Sequence, residues 1–249
     1  MPDELPLAGQ TALITGGAKR LGGAVTEALA GAGANVCIHY RNSGEEAAEL
    51  AERLRGRGGQ AWTVRCDLSD TEDVATLLPR ITKEAGDIDI LVNNASIFPE
   101  STLMEFTEND FHENVNVNAL APLLLGRALA GQGGGGHIIN FLDTRIVSYD
   151  RAHAAYHISK RILFTLTRMM ALEFAPGIRV NAIAPGLILP PEGKTEAYLE
   201  QYTHTNPMQT YGDPKDIADT VLFLLTTGFI TGQTIYVDGG RHMKGAAYG

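Results

Sequence analysis

Apolar positions run almost continuously through residues 11–15, 35–39, 60–66, 88–92, 137–141, 178–183 and 233–237. Between these short runs lie longer segments with apolar residues at helical spacing, over 21–32, 45–55, 71–85, about 108–130, about 152–174 and 214–225. Short β-rich runs without polar alternation are the mark of strands buried on both faces, and their alternation with helical patterns predicts βαβ units. The expected fold is α/β: a single doubly wound Rossmann-type domain over residues 1–249, its parallel seven-stranded sheet carrying helices on both faces.

Local signals agree with this order. Ser43 with Glu46 and Ser69 with Glu72 have capping-box spacing, and Asp213 before Pro214 marks another helix start. Four glycines at 133–136 read as a tight turn between a helix and a strand rather than as a linker. Residues 186–213, with Pro190, Pro191 and Pro207, have no clear period and are expected to form a flap or a short-helix excursion over a site.

Composition narrows the function classes. Twenty-nine acidic against 20 basic residues give a net charge of -9, which repels nucleic acids and anionic membrane surfaces. No stretch approaches a membrane span and the first ten residues lack an apolar leader core, so a cytoplasmic protein with a small-molecule partner is expected. Cys37 and Cys66 sit in apolar runs and read as buried small hydrophobes, neither a disulfide framework nor a metal set.

The chemistry-bearing residues fall at the ends of the predicted strands. Thr15-Gly16-Gly17-Ala18-Lys19-Arg20-Leu21-Gly22 joins the first strand to the first helix, where helix N–H groups can hold a pyrophosphate. The second strand ends His39-Tyr40-Arg41, without the acid that would bind a free ribose. Lys19, Arg20 and Arg41 are expected to converge there on a 2′-phosphate, which selects NADPH. Asp67-Leu68 and Asn94-Ala95-Ser96 close the third and fourth strands as adenine and cofactor contacts, although each could equally be turn chemistry. Tyr156 and Lys160, at i and i+4 on one predicted helix, place an ammonium near a phenol, which is expected to lower the phenol's pKa.

These residues, with Asn118, Arg179-Val180-Asn181, Pro185-Gly186 and Asp238-Gly239-Gly240, resemble the short-chain dehydrogenases/reductases over nearly the whole chain. The resemblance implies hydride transfer with nicotinamide, Tyr156 as the acid, Lys160 holding the ribose and Asn118 supporting a proton-relay water. Pro185 and Gly186 join the cofactor set. It also implies a homotetramer assembled through the long helices.

Two positions depart from the general pattern. Asp143 stands thirteen residues before Tyr156, where the family usually carries Ser, and Arg20 replaces a middle glycine. Both departures, with Asn93-Asn94-Ala95-Ser96-Ile97-Phe98, resemble the pteridine reductase branch, including dihydromonapterin and dihydrofolate reductases of this fold. A carboxylate repels a developing alkoxide but accepts hydrogen bonds from pterin N–H groups. The resemblance thus implies an Asp143–Tyr156–Lys160 set reducing a C=N bond of a dihydropterin or dihydrofolate, with Ser96 and Phe98 against the substrate and Phe98 as its stacking wall. The alternatives are a carbonyl or 3-oxoacyl reductase of the same family, which Asp143 disfavours, and a non-catalytic dinucleotide-binding regulator, which the intact Tyr156, Lys160 and Asn118 disfavour.

Overall fold

Strands β1 (Thr11–Ile14), β2 (Asn35–Tyr40), β3 (Ala61–Arg65), β4 (Ile90–Asn93), β5 (Gly136–Phe141), β6 (Ile178–Pro185) and β7 (Thr234–Val237) form one sheet in the order β3-β2-β1-β4-β5-β6-β7. Every pairing is parallel, with Ile14 beside Ile38 and Val92, and Phe141 beside Ile183. The computed structural model describes residues 5–246. The expected doubly wound sheet is what these residues form.

The helices are α1 (Arg20–Gly31), α2 (Gly44–Arg55), α3 (Thr71–Ala85), α4 (Glu108–Val115), α5 (Ala121–Gly131), α6 (Ala154–Glu173), the short α7 (Glu196–Glu200) and α8 (Pro214–Thr226). The alternation of side chains along each strand explains the continuous apolar runs. Ala12, Ile14, Ile90 and Val92 enter one core with Val25, Leu50, Ile217 and Val221 of α1, α2 and α8. Leu13, Leu91 and Ile138 enter a second core with Leu77, Leu125 and Met170 of α3, α5 and α6. Burying each large aliphatic side chain stabilises the chain by roughly 1.5–3 kcal/mol, so both faces are fixed.

Three local expectations are corrected. The segment at 108–130 is not one helix: a π-helical turn, Asn116–Leu120, separates α4 from α5 and carries Asn118, whose side chain is fully buried. Such turns recur at functional sites, because the wider turn re-aims the side chains it carries. Ser43 does stand before α2, but its side chain makes no capping bond. At α3 the cap moves one residue on, to Asp70, which accepts from the Glu72 and Asp73 N–H groups, because the Ser69 hydroxyl is drawn to Asp67 Oδ1 at 2.7 Å. Asp213 and Asp216 do form a capping box at α8.

β1 and β4 are neighbours whose following helices lie on opposite faces, and the crevice at their carboxyl ends is where open α/β sheets take ligands. Residues after β6 cross this end of the sheet through α7 and a 3₁₀ turn, Thr203–Thr205, before reaching α8. No helix among the described residues is long and apolar enough to cross a membrane.

Candidate active site

The turn after β1 leaves no room for a side chain. A Cβ on Gly22 would stand 2.0 Å from the Gly16 carbonyl oxygen and 2.6 Å from Asn94 Nδ2, and Gly16 itself is left-handed, at φ 61°. Asn94 secures the turn by donating to the Thr15 and Gly16 carbonyls at 2.9 and 3.1 Å. Lys19, at the N-cap of α1, makes no side-chain capping bond, so no such bond covers the helix's first N–H groups. A pyrophosphate is the chemical group that such a turn suits.

His39 supports the turn from below. Gly16 N–H donates to His39 Nδ1 at 3.0 Å, which leaves the proton on Nε2, donated to the Cys66 carbonyl at 3.0 Å. The ring is 2% exposed, and burial pushes its pKa down from 6.5 to about 4, so it is neutral over the physiological range. It bridges the ends of β1 and β3 and acts on any cofactor through Gly16.

Two cavities meet at this crevice. One, of about 390 Å³, lies over the end of β2 and is bordered by Lys19, His39, Tyr40, Arg41, Asp67 and Leu68. Lys19 lies 3.5 Å from a Glu46 carboxylate oxygen and 3.7 Å from one of Glu192. Asp67 holds its carboxyl below the usual range by accepting from the Ser69 hydroxyl and N–H. The other cavity, of about 440 Å³, runs from Arg20, Leu21 and Asn94 to Asp143, Tyr156 and Lys160, with Pro185 and Gly186 opposite; Gly16, Lys19, Ala95 and Ser96 border both.

Arg20 does not join Lys19 and Arg41. Its backbone is left-handed at φ 55°, which explains why glycine suits this position, and its guanidinium reaches the other way to donate to the Pro190 carbonyl at 2.5 Å. Arg20 thus ties the glycine turn to the segment after β6, and the expected three-cation cluster at the second strand reduces to Lys19 and Arg41.

The residues beside the second cavity are tightly arranged. Tyr156 donates its hydroxyl proton to Asp143 Oδ2 at 2.8 Å, while Asp143 Oδ1 accepts from the Arg145 N–H at 2.7 Å. One carboxylate therefore caps its own 3₁₀ turn and holds the phenol. Lys160 Nζ donates to the Phe141 carbonyl at 2.7 Å and lies 5.7 Å from the centre of the Tyr156 ring. Burial lowers the Lys160 pKa to about 8.

The expected lowering of the phenol's pKa is reversed. Burial first, and then the Asp143 carboxylate, hold Tyr156 well above 10, so the phenol keeps its proton. The reason is geometric: the ring is buried and the carboxylate touches its hydroxyl, whereas the ammonium is spent on a backbone carbonyl.

Asn118 uses its whole side chain on its neighbours. Its Oδ1 accepts from Ile97 N–H at 2.9 Å and Ser96 Oγ at 3.1 Å, and its Nδ2 donates to the Ile97 carbonyl and Ser159 Oγ, both at 3.0 Å. It clamps the loop after β4 to α6, and so sets where Phe98 stands. Phe98 is 46% exposed, meets the Tyr156 ring edge-on at 4.5 Å, and stacks one face on His153 at 3.8 Å.

A third cavity, of about 270 Å³, opens on the far side of Asp143 and Tyr156, with Phe98, Arg145, Tyr198 and Arg241 around it. His153, Arg145, Tyr198 and Arg241 are absent from the sequence-based site. The first two had a local signal, lying one helical turn before Tyr156 and two residues after Asp143, but Tyr198 and Arg241 arrive from distant segments.

A parallel sheet with a phosphate-sized glycine turn at its switch point and a Tyr–Lys pair beside it defines a nicotinamide-dependent oxidoreductase. Residues 16–242 match the family model described as enoyl-(acyl carrier protein) reductase. An uncharacterized oxidoreductase of Mycobacterium tuberculosis is 37% identical over 96% of this chain and 94% of its own length. The 3-oxoacyl-[acyl-carrier-protein] reductase FabG of Staphylococcus aureus is 30% identical over 94% of this chain and 98% of its own. Among solved structures, FolM alternative dihydrofolate reductase 1 from Brucella suis in complex with NADP superposes with a TM-score of 0.91 at 33% identity, covering 98% of each chain. The chain belongs to the short-chain dehydrogenase/reductase family and is an NADP-dependent oxidoreductase.

Proposed function

We propose that this enzyme is an NADPH-dependent pteridine reductase that reduces a C=N bond of a dihydropterin or dihydrofolate to the tetrahydro form. The observation that carries the reading is the carboxylate of Asp143 bonded to the Tyr156 hydroxyl, at the place where a ketone-reducing relative would present a serine. A pterin offers N–H donors to a carboxylate and must gain a proton on ring nitrogen as its carbon is reduced, and Tyr156, protonated and facing the cavity, can supply it. The likeness to FolM, at 33% identity over 98% of both chains, supports the same substrate class.

When bound, NADPH supplies the hydride. The chain's part is to hold and orient. Gly16, Leu21, Asn94, Ala95 and Ser96 line the pyrophosphate side; Lys19, Tyr40 and Arg41 receive the 2′-phosphate; Asp67 and Leu68 hold the adenine, and Pro185 and Gly186 the nicotinamide end. Lys160 holds the ribose, Asn118 positions the loop bearing Ser96 and Phe98, and Phe98 walls the ring. Residues 186–213 act as the substrate flap, tied down by Arg20.

A second reading, 3-oxoacyl or carbonyl reduction, is favoured by the FabG relatives. Dihydrobiopterin, dihydromonapterin, dihydrofolate and several ketones, each followed by NADPH absorbance, separate the two: pterin turnover at least tenfold above ketone turnover in kcat/KM is expected, and the reverse ranking replaces the first reading with the second. A cytoplasmic homotetramer completes the proposal, supported by Met169 and Leu172, which α6 leaves 58% and 84% exposed on the single chain.

A further inference from the structure

The cavity beyond Asp143 and Tyr156 has charges of both signs in its wall. The Asp143 carboxylate and the Tyr156 hydroxyl, bonded to each other, border it together with Arg145, Arg241, Tyr198 and Tyr202. Two cations beside one small cavity are unexpected in a chain of net charge -9.

The two arginines are not alike. Arg145 has a carboxylate partner, Asp150 Oδ2 at 3.0 Å, and lies over the Phe98 ring at 5.0 Å. Arg241 has no carboxylate within ion-pair distance among the described residues, although it is half-buried and close enough to Arg145 for the two charges to repel. Burial first, and then that neighbour, push its pKa down from its ordinary value, against the opposing pull of the Asp143 and Asp238 carboxylates, neither of which pairs with it. Such a group gains from an incoming anion that neutralises it.

Its backbone is firmly anchored. Arg241 N–H donates to the Asp238 carbonyl at 3.1 Å, and the buried Asp238 carboxylate accepts from Thr144 Oγ1 at 2.5 Å, next to Asp143. The end of β7 is thus fastened to the end of β5, so the fold sets where the Arg241 backbone stands relative to Asp143.

We propose that Arg241, with Arg145 beside it, forms a subsite for an anionic group, carboxylate or phosphate, on the side chain of the substrate. This rests on the pteridine reductase reading and narrows it: the substrate is a pterin with a charged tail rather than one with a neutral side chain. Asp143 repels the same anion, so the orientation this subsite favours has ring N–H groups toward Asp143 and the anionic tail toward Arg241.

The test is equilibrium binding by titration calorimetry to the NADP-loaded protein, which does not depend on turnover. Folate supplies carboxylates, neopterin monophosphate a phosphate and biopterin a neutral tail. Arg241→Gln is expected to weaken folate or the phosphate about tenfold or more, the worth of one charge-assisted hydrogen bond, and biopterin by less than twofold; Arg241→Lys restores part of the loss. Loss confined to one anion identifies its source. Equal loss for all three ligands, or no loss for either anion, overturns the subsite. If the unaltered protein binds none of them, the pteridine reading falls with it; if it binds them and reduces no dihydropterin, the catalytic reading falls while the subsite is still decided by the variants.

Discussion

The Tyr156 hydroxyl donates to Asp143 Oδ2 at 2.8 Å, and the other oxygen of that carboxylate is held by the Arg145 N–H at 2.7 Å, so one carboxylate joins the phenol to the turn after β5. The pair is a preformed acceptor and donor set on one side of a small cavity. In a ketone reductase the same place would need a donor for an oxyanion, and a carboxylate opposes that charge.

Asp143→Ser removes the acceptor and leaves a hydroxyl in its place. It is expected to lower kcat/KM for a dihydropterin at least tenfold while leaving or improving any weak reduction of an activated ketone. Undiminished pterin activity in the variant would count against the role of Asp143. Tyr156→Phe is expected to keep NADPH binding, measured by fluorescence titration, and to lose about 10²–10⁴-fold in turnover, the usual worth of a general acid.

Phe98 contributes a surface and no proton. Phe98→Ala is expected to raise KM for a dihydropterin with little change in kcat, since stacking of about 0.5–1.5 kcal/mol acts on ground and transition states alike. A fall in kcat with unchanged KM would instead place the effect on Tyr156, whose ring Phe98 meets edge-on.

Arg41 is exposed beside the adenosine-side cavity. Arg41→Asp is expected to weaken NADPH roughly tenfold or more, and NADH by less than threefold, because it exchanges a charge-assisted contact for a repulsion. The ratio of the two kcat/KM values measures this directly, and equal use of both cofactors by the unaltered enzyme would contradict it.

His39 makes the fold sensitive to acid. Its pKa falls from 6.5 to about 4 on folding, so between those values the unfolded chain binds the proton that the folded chain excludes. The resulting stabilisation is complete above pH 6.5 and lost as pH falls toward 4, an effect of roughly 3 kcal/mol for a fully buried ring. His39→Gln is expected to lower the urea midpoint at pH 7.5 and to flatten its decline between pH 6.5 and 4.5, leaving the part contributed by His137, whose pKa burial also lowers to about 4; an unchanged decline would overturn the assignment to His39.

The sheet was legible because strands buried on both faces must be apolar at every position, and the runs through Leu13–Ile14 and Leu91–Val92 have no other use. Tyr156 and Lys160 were legible because helical spacing alone puts them together. What sequence could not foresee depends on contacts between distant residues. Lys160 spends its ammonium on Phe141, and one face of Phe98 is taken by His153, 55 positions away. The direction of Arg20 follows from the sign of one φ angle, and the π turn at Asn118 accompanies four hydrogen bonds that the 108–130 periodicity cannot encode.

Asp143, Tyr156, Gly186 and Leu189 border both the 440 Å³ and the 270 Å³ cavities. A substrate seated in the smaller one before the cofactor would therefore face an open void on its reacting side. Seated after the cofactor, it meets a finished wall. With the cofactor and substrate placed as proposed, this shared wall predicts an order of arrival: dinucleotide first and substrate second, with product leaving before the spent dinucleotide. The expected outcome in steady-state kinetics is a compulsory order, in which NADP competes with NADPH and the reduced product does not; competition by both would contradict it.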